Sequence, residues 1–255
     1  MNDGILAAGA CLVASAFCLS TFDRWLRRRA PHDLAWSIAM ALFVLGAGAL
    51  WWAESHGWSN TSFRLFFLSG AVLNVPWLGL GTVYLLFGTR AGNVVRTVLV
   101  FLSGLSVGII LISPLKAPVD RTAFPIAKEL FGPAPRVLAA IGSGLPAVVI
   151  IGGALWSAYR IARKQIPAAT TTARRVAQQP RLLAAGNVLI ALGAIVLSAS
   201  GTIAGRLGKD RAFAVTLLLG IIILFVGFVV TSHAVSRRST ANAILYRELS
   251  PLLQD

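Results

Sequence analysis

Charge is what this sequence has least of. Asp, Glu, Lys and Arg make up 13% of its 255 residues, about half of what a soluble domain carries. Acids are scarcer than bases, nine against 23. All nine (Asp3, Asp23, Asp33, Glu54, Asp120, Glu129, Asp210, Glu248 and Asp255) fall in connecting segments, tails or the ends of apolar runs. No Lys, Arg or His lies in the middle of such a run either. Ionisable groups inside a membrane are the machinery of proton relays, ion-coupled transport and retinal binding, so their absence from mid-run argues against all three. In particular, residues 212–232 offer no lysine for a Schiff base.

Histidine and cysteine are equally sparse. His32, His56 and His233 are far apart and at the ends of apolar runs, whereas haem or zinc needs ligands at set spacing. Cys11 and Cys18 sit on one expected helix, about 10 Å apart in rise, which suits small packed hydrophobes rather than a disulfide. There is no nucleotide-binding loop, no G-x-S-x-G and no H-E-x-x-H. The expectation is therefore no catalytic residue, no cofactor and no metal.

What is abundant is apolar surface: 56% of residues are hydrophobic and mean hydropathy is +0.77. That excludes a disordered chain, a coiled coil and an ordinary cytosolic enzyme. A bilayer core takes about 20 apolar residues per helix, and seven runs qualify: 4–20, 34–53, 63–87, 93–114, 137–159, 182–204 and 212–232. The first has no basic start and lacks a lipoprotein cleavage pattern at Cys18, so it reads as a retained helix. The expected fold is all-α, a seven-transmembrane-helix bundle over residues 1–235 with a short cytoplasmic tail, 236–255. In that tail Ser239-Thr240 is placed to cap a short separate helix running through Tyr246.

The cations set its direction. With the N-terminus outside, Arg24, Arg27, Arg28, Arg29, Arg90, Arg96, Arg160, Arg163, Lys164, Arg174, Arg175, Arg181, Arg237, Arg238 and Arg247 lie inside, fifteen against eight outside. The C-terminus is then inside. Such inner loops follow from insertion and meet anionic lipid. No aromatic residue interrupts Arg160–Arg181 to stack a base, so no nucleic acid is expected.

The third run is the most unusual. Pro76 removes a backbone donor and frees the carbonyl near position 72, which predicts a kink. Asn74 and Trp77 beside it either line a ligand cavity or serve as interhelical glue. In the sixth run Asn187, Ala191, Ala194, Ser198, Gly201 and Gly205 recur on one face at helical steps. That face, expected to be turned from lipid, is either a tight packing edge or the wall of a pocket. On the outer side Glu54, His56 and Arg64 sit among Trp51, Trp52, Trp58, Phe63, Phe66 and Phe67, an interfacial belt or a ligand-contacting rim. Residues 115–136 form the longest outer loop, with Phe124–Phe131 suited to a helical turn or two on the membrane.

Residues 24–31 read R-W-L-R-R-R-A-P, a second apolar run and a Trp-rich turn follow, and 63–86 read F-R-L-F-F-L-S-G-A-V-L-N-V-P-W-L-G-L-G-T-V-Y-L-L. This layout resembles uncharacterised bacterial seven-helix integral membrane proteins, which carry no activity to transfer. More distantly, over the first three runs, it is similar to the seven-helix sensor region that precedes some histidine kinases, although this chain has no output domain before Asp255. The resemblance implies a multi-pass protein of the bacterial plasma membrane. The function expected is a non-enzymatic sensor or interaction module for an apolar, lipid-like ligand or a partner membrane protein. A small transporter or facilitator for a neutral solute is the alternative. The partners expected are the lipid bilayer, anionic lipid at the inner basic loops, and a partner membrane protein or homo-oligomer.

Overall fold

The computed structural model describes residues 3–163, 180–207 and 210–249. Lys164, Arg174 and Arg175 of the expected inner loop, and residues 250–255 of the tail, lie outside the described residues. The described chain is all-helical apart from its connections, the longest at 113–126, with one isolated antiparallel bridge, Leu115 to Phe131. Its helices are α1 (Asp3–Arg28), α2 (Pro31–His56), α3 (Asn60–Phe66), a π-helical segment (Phe67–Leu73), α4 (Asn74–Ile112), α5 (Ala127–Leu130), α6 (Pro133–Ala162), α7 (Pro180–Leu207) and α8 (Asp210–Leu249).

Among the described residues, five helical stretches are long and apolar enough to cross a membrane: Gly4–Arg28, Pro31–His56, Asn60–Ile112, Pro133–Arg160 and Ala212–Thr231. α7 carries a shorter apolar stretch, Ala184–Ala199. The chain is thus an all-helical protein of multi-pass membrane character.

Local chemistry sets the turns. α1 runs without a breaker until Arg29, which takes the left-handed conformation at φ 52. Extended Ala30 and then Pro31, in the first turn of α2, reverse the chain, where a missing N–H costs nothing. Cys18 Sγ against the Ser37 carbonyl (3.4 Å) and Cys11 Sγ against the Val44 carbonyl (3.7 Å) fix the register of this antiparallel pair. α2 ends at Gly57, φ 87, a conformation only glycine adopts freely. A Cβ there would also lie 3.1 Å from the Arg121 carbonyl of the loop 115–136. Ser59 and Ser62 then form a reciprocal capping box that starts α3.

α4 is two helices in one, because Gly88 has φ 82 and ψ −177. The arms on either side, 74–87 and 89–112, lie against each other. Trp77 Nε1 donates to Ser103 Oγ at 3.3 Å, and the Tyr84 hydroxyl donates to Asn93 Oδ1 at 2.9 Å. Further along, Arg64 donates to the carbonyls of Ile110, Leu111 and Ser113. Helix therefore resumes immediately after the break, where sequence reading places an inner loop.

The long helices close a ring: α1 on α2, α2 on α4, α4 on α6, α6 on α7, α7 on α8, and α8 back on α1. Half-buried Trp77 touches all three apolar clusters of the interior. The arm 89–112 turns Leu99, Ser106 and Ile110 inward and leaves Val94, Phe101 and Ile112 exposed.

Two expectations about the periphery meet the structure. The loop 115–136 has the expected helical turn, at Ala127–Leu130, and it packs inward. Phe131 is fully buried, its ring 5.0 Å from Phe63 and 5.1 Å from Phe67, so the loop folds onto the bundle. The tail does not begin a separate helix at Ser239, because α8 runs on to Leu249. No Gly or Pro between Gly227 and Pro251 stops it.

Candidate functional site

The third run carries the strongest local irregularity. After Phe66 the backbone widens into the π-helical segment, and the Asn74 N–H reaches back to the Ser69 carbonyl, five residues earlier. Single π-turns are frequent at functional sites. Two residues on, Pro76 withholds the donor that the Val72 carbonyl would take. Gly142 of α6 meets that carbonyl, since a Cβ on Gly142 would stand 3.0 Å from its oxygen. Another close approach lies one turn along, where Gly79 faces Pro146 Cβ at 3.0 Å. The expected kink at Pro76 is therefore a place where two helix backbones come together without side chains between them.

Asn74 is 7% exposed, and its Oδ1 is fully enclosed with no hydrogen-bond partner. Its neighbours are already committed. Ser69 donates to the Leu65 carbonyl at 2.6 Å, and the Trp77 indole donates to Ser103. Trp77 thus takes the glue role, whereas Asn74 retains an unused acceptor in an apolar interior. The position a Cβ would occupy on Gly70, one turn before Asn74, has no neighbour within 4 Å. On the other side α2 comes close, a Gly46 Cβ lying 3.2 Å from the Gly70 nitrogen and from Ser69 Oγ.

The sixth-run residues divide. Asn187 Nδ2 donates to Ser157 Oγ at 2.9 Å, tying α7 to α6. Ala191 and Ala194 are buried, but Ser198 is exposed and donates back to the Ala194 carbonyl at 2.8 Å. Ser198 therefore corrects the expectation that the whole stripe is buried. The surroundings of Gly201 and Gly205 lie outside the described side chains. The closest approach to α8 uses the adjacent stripe instead. A Cβ on Gly193 would lie 2.7 Å from the Leu224 nitrogen, and one on Gly227 would lie 2.8 Å from the Ile190 nitrogen.

The outer-rim residues are held by different partners. His56 stacks on Trp52, ring centroids 4.0 Å apart, with Nδ1 3.2 Å from the Trp52 carbonyl. Arg64 donates from Nε to Asn60 Oδ1 at 2.6 Å and caps the carbonyl end of the arm 89–112. Half-buried Glu54 lies beside Gly4 of α1. In the loop 115–136 the Thr122 N–H and hydroxyl both donate to Asp120 at 2.8 Å, and these bonds hold its carboxyl below its ordinary range.

One cluster escaped the sequence reading. Asp33, expected among the acids of connecting segments and run ends, is completely buried beside Arg24, with Nη2 to Oδ1 at 3.2 Å. His32, expected to solvate a helix end, has Nε2 3.7 Å from that oxygen, and its ring meets Trp36 edge-on at 5.4 Å. Arg24 also lies over the Phe228 ring at 4.7 Å. The signal was the tight turn at 29–31, which places positions 24 and 33 opposite each other. No family model, curated protein or solved structure matches the chain. Its chemistry is therefore argued from these contacts alone.

Proposed function

We propose that this chain is a seven-pass protein of the bacterial plasma membrane, N-terminus outside and C-terminus inside. In this reading it acts as a non-enzymatic recognition module for an apolar, lipid-like ligand. The seven passes rest on the fold-back at Gly88. A straight helix of the 53 residues 60–112 would be about 80 Å long at 1.5 Å per residue, far beyond a hydrocarbon core of about 30 Å. Split at Gly88, the arms cross once each. Arg90 and Arg96 then fall by the inner face, as the charge bias requires.

The observation that carries the ligand reading is the unpartnered Oδ1 of Asn74. A buried acceptor left unpaired costs about 1–3 kcal/mol, so a guest that pairs it is favoured there. Its position between the π-turn and Pro76, in a helix already loosened, suits a site that admits a guest. The same broken helix suits a facilitator for a neutral solute, and uptake into proteoliposomes is the measurement that would favour it. A partner membrane protein, a second copy and anionic lipid at the inner loops remain the proposed associations.

Native mass spectrometry of gently extracted protein tests the ligand reading. Wild type is expected to retain a lipid-sized adduct that Asn74→Leu holds in smaller amount. An adduct-free wild type, or equal adducts on both proteins, contradicts it.

A further inference from the structure

We infer that the guest at Asn74 carries a hydroxyl group on an otherwise apolar body, as a long-chain alcohol does; this rests on the ligand reading above. The Oδ1 of Asn74 accepts and has nothing to accept from. The two nearest side-chain donors along its helix, Ser69 and Trp77, already donate elsewhere, so the missing proton has to come from the guest. A helical side chain leans toward the preceding turn, which sets the Asn74 amide over Ser69 and Gly70. A Cβ on half-buried Gly70 would meet no atom within 4 Å, so there is room for the body of a guest along that turn, and its hydroxyl reaches the enclosed Oδ1 from there.

The rest of the segment is apolar: Phe67, Val72 and Leu73 are buried around it. No charged residue occurs between Arg64 and Arg90. An ammonium or carboxylate brought here would lose its water without a counter-charge, at heavy cost. A neutral hydroxyl loses little and pairs the amide. It can donate to Oδ1 and also accept, whereas an ether of the same length can only accept.

The test compares 1-hexadecanol with methyl hexadecyl ether and hexadecane as additives to the full-length protein in nanodiscs, read by thermal unfolding and by competition for the bound state. Hexadecanol is expected to bind about five- to tenfold more tightly than the ether, the worth of one neutral hydrogen bond in an apolar setting. Asn74→Leu should remove that preference while still binding both. Gly70→Val, which leaves the amide in place, should weaken all three additives together. It keeps the test open if the Asn74 variant does not fold. Equal binding of alcohol and ether to wild type overturns the hydroxyl inference and leaves the apolar-ligand reading standing. Binding of none of the three overturns both.

Discussion

Arg24 and Asp33 face each other across the α1–α2 turn at 3.2 Å, with the carboxylate wholly enclosed and the guanidinium side chain 22% accessible. The asymmetry decides what each deletion does. Without Arg24, the carboxylate loses its nearest cation in a place that water does not reach. Without Asp33, the guanidinium keeps a route to solvent. Arg24→Leu is therefore expected to destabilise by about 3–5 kcal/mol, and Asp33→Leu by clearly less. The double replacement should recover part of the loss. Thermal midpoints in one detergent, combined as a double-mutant cycle, check the order. Equal losses would mean that the pair is not buried as described.

The α7–α8 seam depends on absent side chains. A Cβ on Gly193 would fall 2.7 Å from the Leu224 backbone nitrogen, whereas one on Gly104 meets nothing within 4 Å. Gly193→Val should cost at least about 1–3 kcal/mol through overpacking. Gly104→Val should leave the midpoint within about 0.5 kcal/mol, as exposed substitutions do. A neutral Gly193→Val would contradict the seam.

Arg64 closes the open end of the α4 hairpin by donating to the carbonyls at 110, 111 and 113. Those carbonyls have no partner within their own helix, and a cation there also meets the negative end of the helix dipole. Arg64→Ala is expected to speed hydrogen exchange selectively over residues 108–116, with a global loss of about 1–2 kcal/mol. Arg64→Lys should restore it only in part, because an ammonium lacks the planar fork. Unchanged exchange in that window would remove the capping role.

The return at Gly88 has a topological consequence. With Cys11 and Cys18 replaced by Ala, single cysteines at 60 and 115 should react with a membrane-impermeant maleimide from the same side. One at 90 should react only from the other. Labelling of 60 and 115 from opposite sides would turn the two arms into one passage and reduce the crossing number.

Much of this was legible in the sequence. Long apolar runs without breakers became helices, Pro31 and Gly57 mark the limits of α2, and Pro76 announced the irregularity in the third run. Three features were hidden, each for a physical reason. The π-turn at Phe67–Leu73 leaves no compositional trace, because one inserted residue changes the hydrogen bonding and not the apolar pattern. The packing edge of α7 is shared between two adjacent small-residue stripes. Periodicity selected Ala191 and Ala194, which are buried, but not Gly186 and Gly193, whose lack of a Cβ brings the backbones closest. Asp33 looked like an ordinary loop acid because burial at a helix start depends on the opposite helix. Only the hairpin register brings Arg24 to it.

The broken helix around Asn74 is the element on which the functional account stands, and photo-crosslinking addresses it directly. A hexadecanol analogue with a diazirine near its hydroxyl would be irradiated with the protein in a bilayer, and the modified peptides mapped. The account predicts label concentrated on residues 66–77, weakened about five- to tenfold in Asn74→Leu and displaced by unlabelled hexadecanol. Label spread over the exposed face of 89–112, with none on 66–77, would contradict it.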